Sequence, residues 1–191
     1  MSRRSATAAW QEDHRLVETF LANGDERAFG EIYRQHGSVL YAFAHHLLQR
    51  DSAVEDVVQE AWLRALRRLR SFDGRCSLRT FLIGFVVRCC YETWRTERRQ
   101  GVGQGGEFEE SVEAPAAKNH EKVDLERALA RLAPGYRTVL LLHDLHGMTH
   151  IEIGALLEIA PGTSKSQLAR ARHVMRTLWT GGVLPGGDHE G

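Results

Sequence analysis

Residues 158–179 read EIAPGTSKSQLARARHVMRTLW, with four cations and no acid after Glu158. Taken at about 100° per residue, Lys165, Ser166, Ala169, Arg170, His173, Arg176 and Thr177 fall in one sector of a helix. Leu168, Ala171, Val174, Met175 and Leu178 fall in another and require burial. Ammonium and guanidinium groups at this spacing can neutralise phosphates or bond guanine O6 and N7, and short hydroxyls reach phosphates or bases. A solvated basic face on an ordinary amphipathic helix is the competing reading.

A second group of cations lies earlier. From Arg64 to Arg99 the chain holds Arg64, Arg67, Arg68, Arg70, Arg75, Arg79, Arg88, Arg95, Arg98 and Arg99 against Asp73, Glu92 and Glu97. Yet Lys plus Arg and Asp plus Glu both number 25, so the formal net charge is zero and charge is segregated rather than absent. This composition excludes a uniformly basic nucleic-acid binder. No Gly-rich phosphate loop, nucleophile elbow or paired carboxylate with a candidate base occurs, which argues against an enzyme. Helix pairs such as Glu55 and Glu60 read as surface acids.

His143, His146 and His150 have a spacing that can converge on zinc. Break and cap signals at Gly147 and Thr149 separate the last of them, and no cysteine stands nearby, so they read as surface histidines with no metal. Cys76, Cys89 and Cys90 include no CxxC, and adjacent helical cysteines point about 100° apart, so all three read as reduced, partly buried thiols. No apolar run reaches the roughly 18 residues of a membrane span, and two N-terminal arginines lack the apolar segment of a signal peptide.

The elements that must position these groups are helices throughout, and no alternating run flanked by hairpin signals appears. An N-terminal segment, 1–24, holds a short helix near 13–22. The segment 25–49 places Phe29, Ile32, Tyr33, Leu40, Phe43, Ala44 and Leu47 on one face. Asp51-Ser52 precedes a helix over about 53–70 with Val54, Val57, Val58, Ala61, Leu63, Ala65, Leu66 and Leu69 as its seam. The loop 71–76 ends it, and Ser77 can cap a fourth helix to about 100.

Residues 101–120, GVGQGGEFEESVEAPAAKNH, carry Glu107, Glu109, Glu110 and Glu113 without helical period and read as a flexible acidic linker between two domains, 25–100 and 121–179. In the second domain a helix over 121–132 is followed by one carrying Val139 to Leu145 and closed by Gly147. Thr149-His150-Ile151-Glu152 fits a capping box opening a helix of about 150–157. Pro161 suits the first position of the last helix. A short capped helix, a tight turn and a basic helix make a helix-turn-helix, and the tail 180–191 reads as disordered. The fold class is all-α, two small helical domains joined by a linker.

The stretch APGTSKSQLARARHVMRTL is similar to the last helix of extracytoplasmic-function sigma factors, with their Gly-Thr-x-Lys/Arg-Ser run and Arg-x-Arg-rich helix. LARLAPGYRTVLLLHDLHGMTHIEIGALL resembles the helices preceding it. AVEDVVQEAWLRALRRLRSFDGRCSLRTFLIGFVVRCCYETWRTERR resembles region two of the same family, with its D-V-x-Q-E helix, F-x-G loop and T-(W/F)-L helix ending in arginines. Together these cover about residues 25–179.

The resemblance implies a protein that binds core RNA polymerase and directs it to promoters, needing no cofactor and carrying out no catalysis, in the cytoplasm and at the nucleoid through the polymerase. It assigns polymerase docking to Asp56, Gln59 and Glu60, which a solvated helix face also explains. Capture of the melting −10 element falls to Phe72, Asp73, Gly74, Arg75, Ser77, Arg79, Thr80 and Arg88, with Arg95, Arg98 and Arg99 tracking phosphates; Phe72 is equally a core candidate. Readout of the −35 duplex falls to Thr163, Lys165, Ser166, Gln167, Arg170, Arg172 and Arg176. The linker acids then mimic nucleic-acid charge on the polymerase, or are simply solvated. An anti-sigma partner is implied as well.

Some positions depart from the family pattern. Phe81 stands where tryptophan is frequent and Cys89 where asparagine is frequent. Ser164 replaces a common valine on the buried side, which predicts slightly weaker packing, and Gln167 and Ala169 replace an often basic and a larger side chain. The competing class is a helix-turn-helix regulator that binds duplex DNA without polymerase.

Overall fold

Helical period over most of the chain produces helices, and among the described residues there is no strand. The structure is a computed structural model that describes residues 3–100 and 125–180, with side chains for 10–100 and 125–179. The linker acids and the C-terminal tail therefore lie outside the described residues. The chain divides into two compact units, Met1–Gly103 and Gln104–Gly191.

The first unit holds α1 (Arg3–Asn23), α2 (Glu26–Leu48), α3 (Val54–Arg68) and α4 (Leu78–Arg99). Asp25 caps α2 by accepting from the Arg27 amide at 2.9 Å. Ser77 caps α4, its Oγ accepting from the Thr80 amide at 3.1 Å, as expected from the sequence. Helix α1 starts well before residue 13. The earlier residues are rich in alanine, whose helix propensity extends the helix without an apolar stripe.

Ile32, Leu40, Phe43 and Leu47 of α2 meet Val54, Ala61 and Ala65 of α3 and Leu82, Ile83 and Val86 of α4, and every one is at most 2 % exposed. Each large side chain buried this way contributes about 1.5–3 kcal/mol. Two seam assignments fail: Leu63 and Tyr33 are exposed, and Trp62, one residue from Leu63, occupies the core instead. Its indole packs against Phe29 and Tyr33, with centroids 5.9 and 5.1 Å away, so the larger ring wins the interior. Asp13 and His36, both buried, join α1 to α2 through a 2.9 Å hydrogen bond. Arg50, in the α2–α3 connection, pairs with Glu97 of α4.

The second unit holds α5 (Leu125–Ala130), α6 (Pro134–Leu140), α7 (His150–Leu157) and α8 (Pro161–Thr180). Helix α6 runs on into a π-helical turn, Leu141–Leu145, in which the His146 amide donates to the Leu141 carbonyl at 3.2 Å. The wide turn changes the helical phase, leaving Leu145 exposed rather than in the seam. Gly147 then ends it at φ 68°.

Arg137 is buried where α5 ends, its Nε and Nη2 donating to the carbonyls of Leu129, Ala130 and Leu132 at 2.8, 3.2 and 2.9 Å. Burial pushes its pKa down to about 10, so it still carries charge at neutral pH against these carbonyls at the helix end. Val139, Leu142, Ile153, Leu168 and Ala171 complete the core.

Candidate functional sites

In the second unit, α7 and α8 are set by three local devices. Thr149 Oγ1 accepts from the Glu152 amide at 3.3 Å while Glu152 Oε2 accepts from the Thr149 amide at 2.7 Å, which is the expected capping box. Gly154 lets the turn close: a Cβ there would lie 2.7 Å from the Ile159 carbonyl oxygen. Pro161 opens α8. Ser164 is fully buried, and its Oγ lies 2.9 Å from His150 Nδ1, so the hydroxyl that replaces an apolar side chain has a partner joining the two helices.

Lys165, Ser166, Ala169, Arg170, His173 and Arg176 line the exposed side of α8, together with Thr163 near its start. Gln167 does not join them. It is 6 % exposed, because 164, 167, 171 and 174 follow three- and four-residue steps along the buried stripe. Its assignment to base readout is therefore corrected. Arg172 is held in a bidentate pair with Asp144, Nε to Oδ2 at 3.0 Å and Nη2 to Oδ1 at 2.5 Å. The Arg172 guanidinium, followed by His143, holds the Asp144 carboxyl below its ordinary pKa. Arg170 Nη1 donates to the Tyr136 hydroxyl at 3.1 Å.

His143 and His150 stack with centroids 4.7 Å apart, and His143 Nδ1 lies 2.8 Å from Asp144 Oδ1. Desolvation, then the charges of His143, Lys165 and Arg172, lowers the His150 pKa.

In the first unit, Asp56 and Gln59 are exposed on α3 and Glu60 is part-exposed. Arg64 bridges Glu60 and Glu92, at 2.7 Å to each, and the network raises the arginine's pKa and lowers that of Glu92. Asp56, Glu60, Glu92 and Glu97 line an open cleft between α3 and α4 with this one arginine among them. Cys89 lies at its edge with its pKa pushed up to about 11 by burial; Cys90 is raised too, also by burial, so both thiols stay protonated and unreactive at neutral pH.

The loop between α3 and α4 turns at Gly74, φ 71°, with Asp73 Oδ1 accepting from the Arg75 amide at 3.1 Å. Arg75, Arg79, Arg88, Arg95, Arg98 and Arg99 are exposed. Phe72 is only 9 % exposed, its ring covered by His14 of α1 and Phe81 of α4.

Rings form a continuous row here. Trp10 meets His14 at 5.3 Å between centroids, His14 meets Phe72 at 5.3 Å, Phe72 meets Phe81 at 5.3 Å and Phe81 meets Phe85 at 5.1 Å. The Arg88 guanidinium sits 5.9 Å over Phe85. Sequence reasoning missed Trp10 and His14, since both lie more than fifty residues before Phe72 and no local pattern connects them.

Two family models match this chain. Sigma-70 region 2 spans residues 32–100 and sigma-70 region 4 spans residues 122–173. Among curated relatives, the extracytoplasmic-function RNA polymerase sigma factor SigE of Mycolicibacterium smegmatis is 29% identical over 171 residues. That alignment covers 82% of this chain and 65% of the relative, so the chain spans about two thirds of that protein's length. SigM of Mycobacterium tuberculosis is 28% identical, covering 85% of this chain and 82% of the relative. The sigma factor RpoE of Bartonella quintana, solved with the anti-sigma factor NepR, superposes with a TM-score of 0.63 at 27% identity, covering 80% of this chain and 96% of that one.

Proposed function

We propose, from the premise that this chain belongs to the sigma-70 family and to its extracytoplasmic-function group, a division of labour among the surfaces described above. The protein is a sigma factor: it joins core RNA polymerase and directs promoter-specific initiation of transcription. The observation that carries this is the presence of both family regions, in order, one on each helical unit. An anti-sigma protein is a further partner, as in the solved complex of its structural relative.

Asp56, Gln59 and Glu60 dock on a basic coiled coil of the polymerase's largest subunit, where exposed acids meet cations without being fully desolvated. The turn at Gly74 and the arginines from Arg75 to Arg99 take the melted −10 strand, cations neutralising its phosphates. Thr163, Lys165, Ser166, Arg170 and Arg176 face the −35 duplex. Arg172 contributes through Asp144, fixing α8 against the π-helical turn. The chain carries out no reaction of its own; the polymerase does the chemistry. Its place of action is where the polymerase is, in the cytoplasm at the nucleoid. No helix among the described residues is long and apolar enough to cross a membrane.

Charge reversal at the docking face is the test. Asp56→Arg with Glu60→Arg is expected to abolish co-purification with core polymerase while circular dichroism stays unchanged. Undiminished co-purification would remove the docking assignment. Specific duplex binding by the protein alone, equal to that of the polymerase complex, would favour a free-standing regulator instead.

A further inference from the structure

The ring assigned from sequence to promoter capture, Phe72, is covered, whereas a ring at the outer end of the same row is open. Trp10 is 40% exposed and His14 retains 31% side-chain exposure. His14 reaches into the capture loop itself: a Cβ on Gly74 would lie 2.1 Å from His14 Nε2. Helix α1 also packs against the turn Leu69–Ser71 and against α4, so the two rings are fixed to the elements that carry the loop.

From this juxtaposition we propose that Trp10, positioned by His14, is a stacking platform for an unpaired nucleobase of the single-stranded promoter, beside the capture loop. Three features of the site fit that occupant. A part-exposed indole can accept any nucleobase, because stacking needs only a π-surface. Exposed arginines on the loop and at the start of α4, Arg75 and Arg79, supply the cations that a DNA backbone requires. The inner rings, Phe72 and Phe81, hold His14 and through it Trp10 in line, so little ordering remains to be done on binding.

Trp10 is therefore assigned to contact with DNA, and His14 to positioning. This inference rests on the sigma-factor reading and adds α1 to the strand-capture surface of the first unit.

The experiment uses full-length protein assembled with core polymerase and a promoter it transcribes, prepared as closed duplex and as a fork with the −10 non-template strand unpaired. Trp10→Ala is expected to weaken fork binding about tenfold, within the roughly 5- to 150-fold span of base–aromatic stacking. Binding to the closed duplex and to core should not change, and Trp10→Phe should recover most of the loss. Abasic substitution scanned along the unpaired strand should locate one nucleotide whose removal makes wild type and Trp10→Ala equal, a coupling that a merely structural role would not produce.

Equal fork binding by wild type and Trp10→Ala overturns the platform, as does an equal loss on fork and duplex, or the absence of any coupled nucleotide. Failure of the wild type itself to prefer the fork would instead defeat the capture role of the first unit. Arg79→Ala, which tests that role separately, should weaken fork binding at every abasic position alike.

Discussion

Replacing Gly74 by alanine probes the contact between α1 and the capture loop. Two costs add. At φ 71° an L-residue loses about 1–2 kcal/mol relative to glycine. The new methyl would also lie 2.1 Å from His14 Nε2, far inside contact distance, so the imidazole must swing away. It then gives up its ring contacts with Trp10 and Phe72, together worth about 1 kcal/mol.

Gly74→Ala should therefore destabilise the first unit by about 2–3 kcal/mol. In a His14→Ala background the same substitution should cost only the backbone part, about 1–2 kcal/mol. The difference, about 1 kcal/mol of coupling, exceeds the roughly 0.3–0.5 kcal/mol within which independent sites add. Urea unfolding of the four full-length proteins, followed by tryptophan emission, measures it; Trp10, Trp62 and Trp94 all report on this unit. Strict additivity would refute the contact, and a cost below about 0.5 kcal/mol for Gly74→Ala would refute the left-handed turn as well.

Three further outcomes are expected. Because the Asp144 carboxyl is held below its ordinary value, chiefly by Arg172, the pair's stabilisation is present above the usual carboxylate range and is lost as pH falls through the lowered value. Both side chains are substantially exposed, so Asp144→Asn should cost only about 0.5 kcal/mol at neutral pH, and the gap from wild type should close in thermal melts as pH falls through the lowered Asp144 value. Thr149→Ala should lower the stability of the second unit by about 1 kcal/mol through loss of the capping box, whereas Thr149→Ser should be nearly silent in the same melts. Lys165→Ala in the polymerase complex should weaken binding to all −35 sequences about equally and reduce the salt slope of log K by about 0.9, read from filter binding across a salt series.

Much of this molecule is legible in its sequence because short-range rules dominate. Ser77, Thr149 and Pro161 mark helix starts by local hydrogen-bonding chemistry, and each is found at its expected place. The seam of α3 was readable except where Trp62 and Leu63 compete for one interior position, a contest that tertiary packing decides. Gln167 enters the readout set only through the family resemblance, whereas the helical register of this chain puts it on the buried stripe. The π-helical turn at Leu141–Leu145 leaves no compositional mark, so the exposure of Leu145 could not be foreseen. Long-range partners were beyond reach for a simpler reason. Nothing near Phe72 indicates that His14 covers it, or that Trp10 extends the row.

The most direct measurement is run-off transcription by core RNA polymerase from a randomised promoter library, with and without the protein. Start sites that appear only with the protein, share one −35 and one −10 element, and disappear with Asp56→Arg and Glu60→Arg together are the result predicted here. No new start sites, with no stable complex between the protein and core polymerase, would contradict the account.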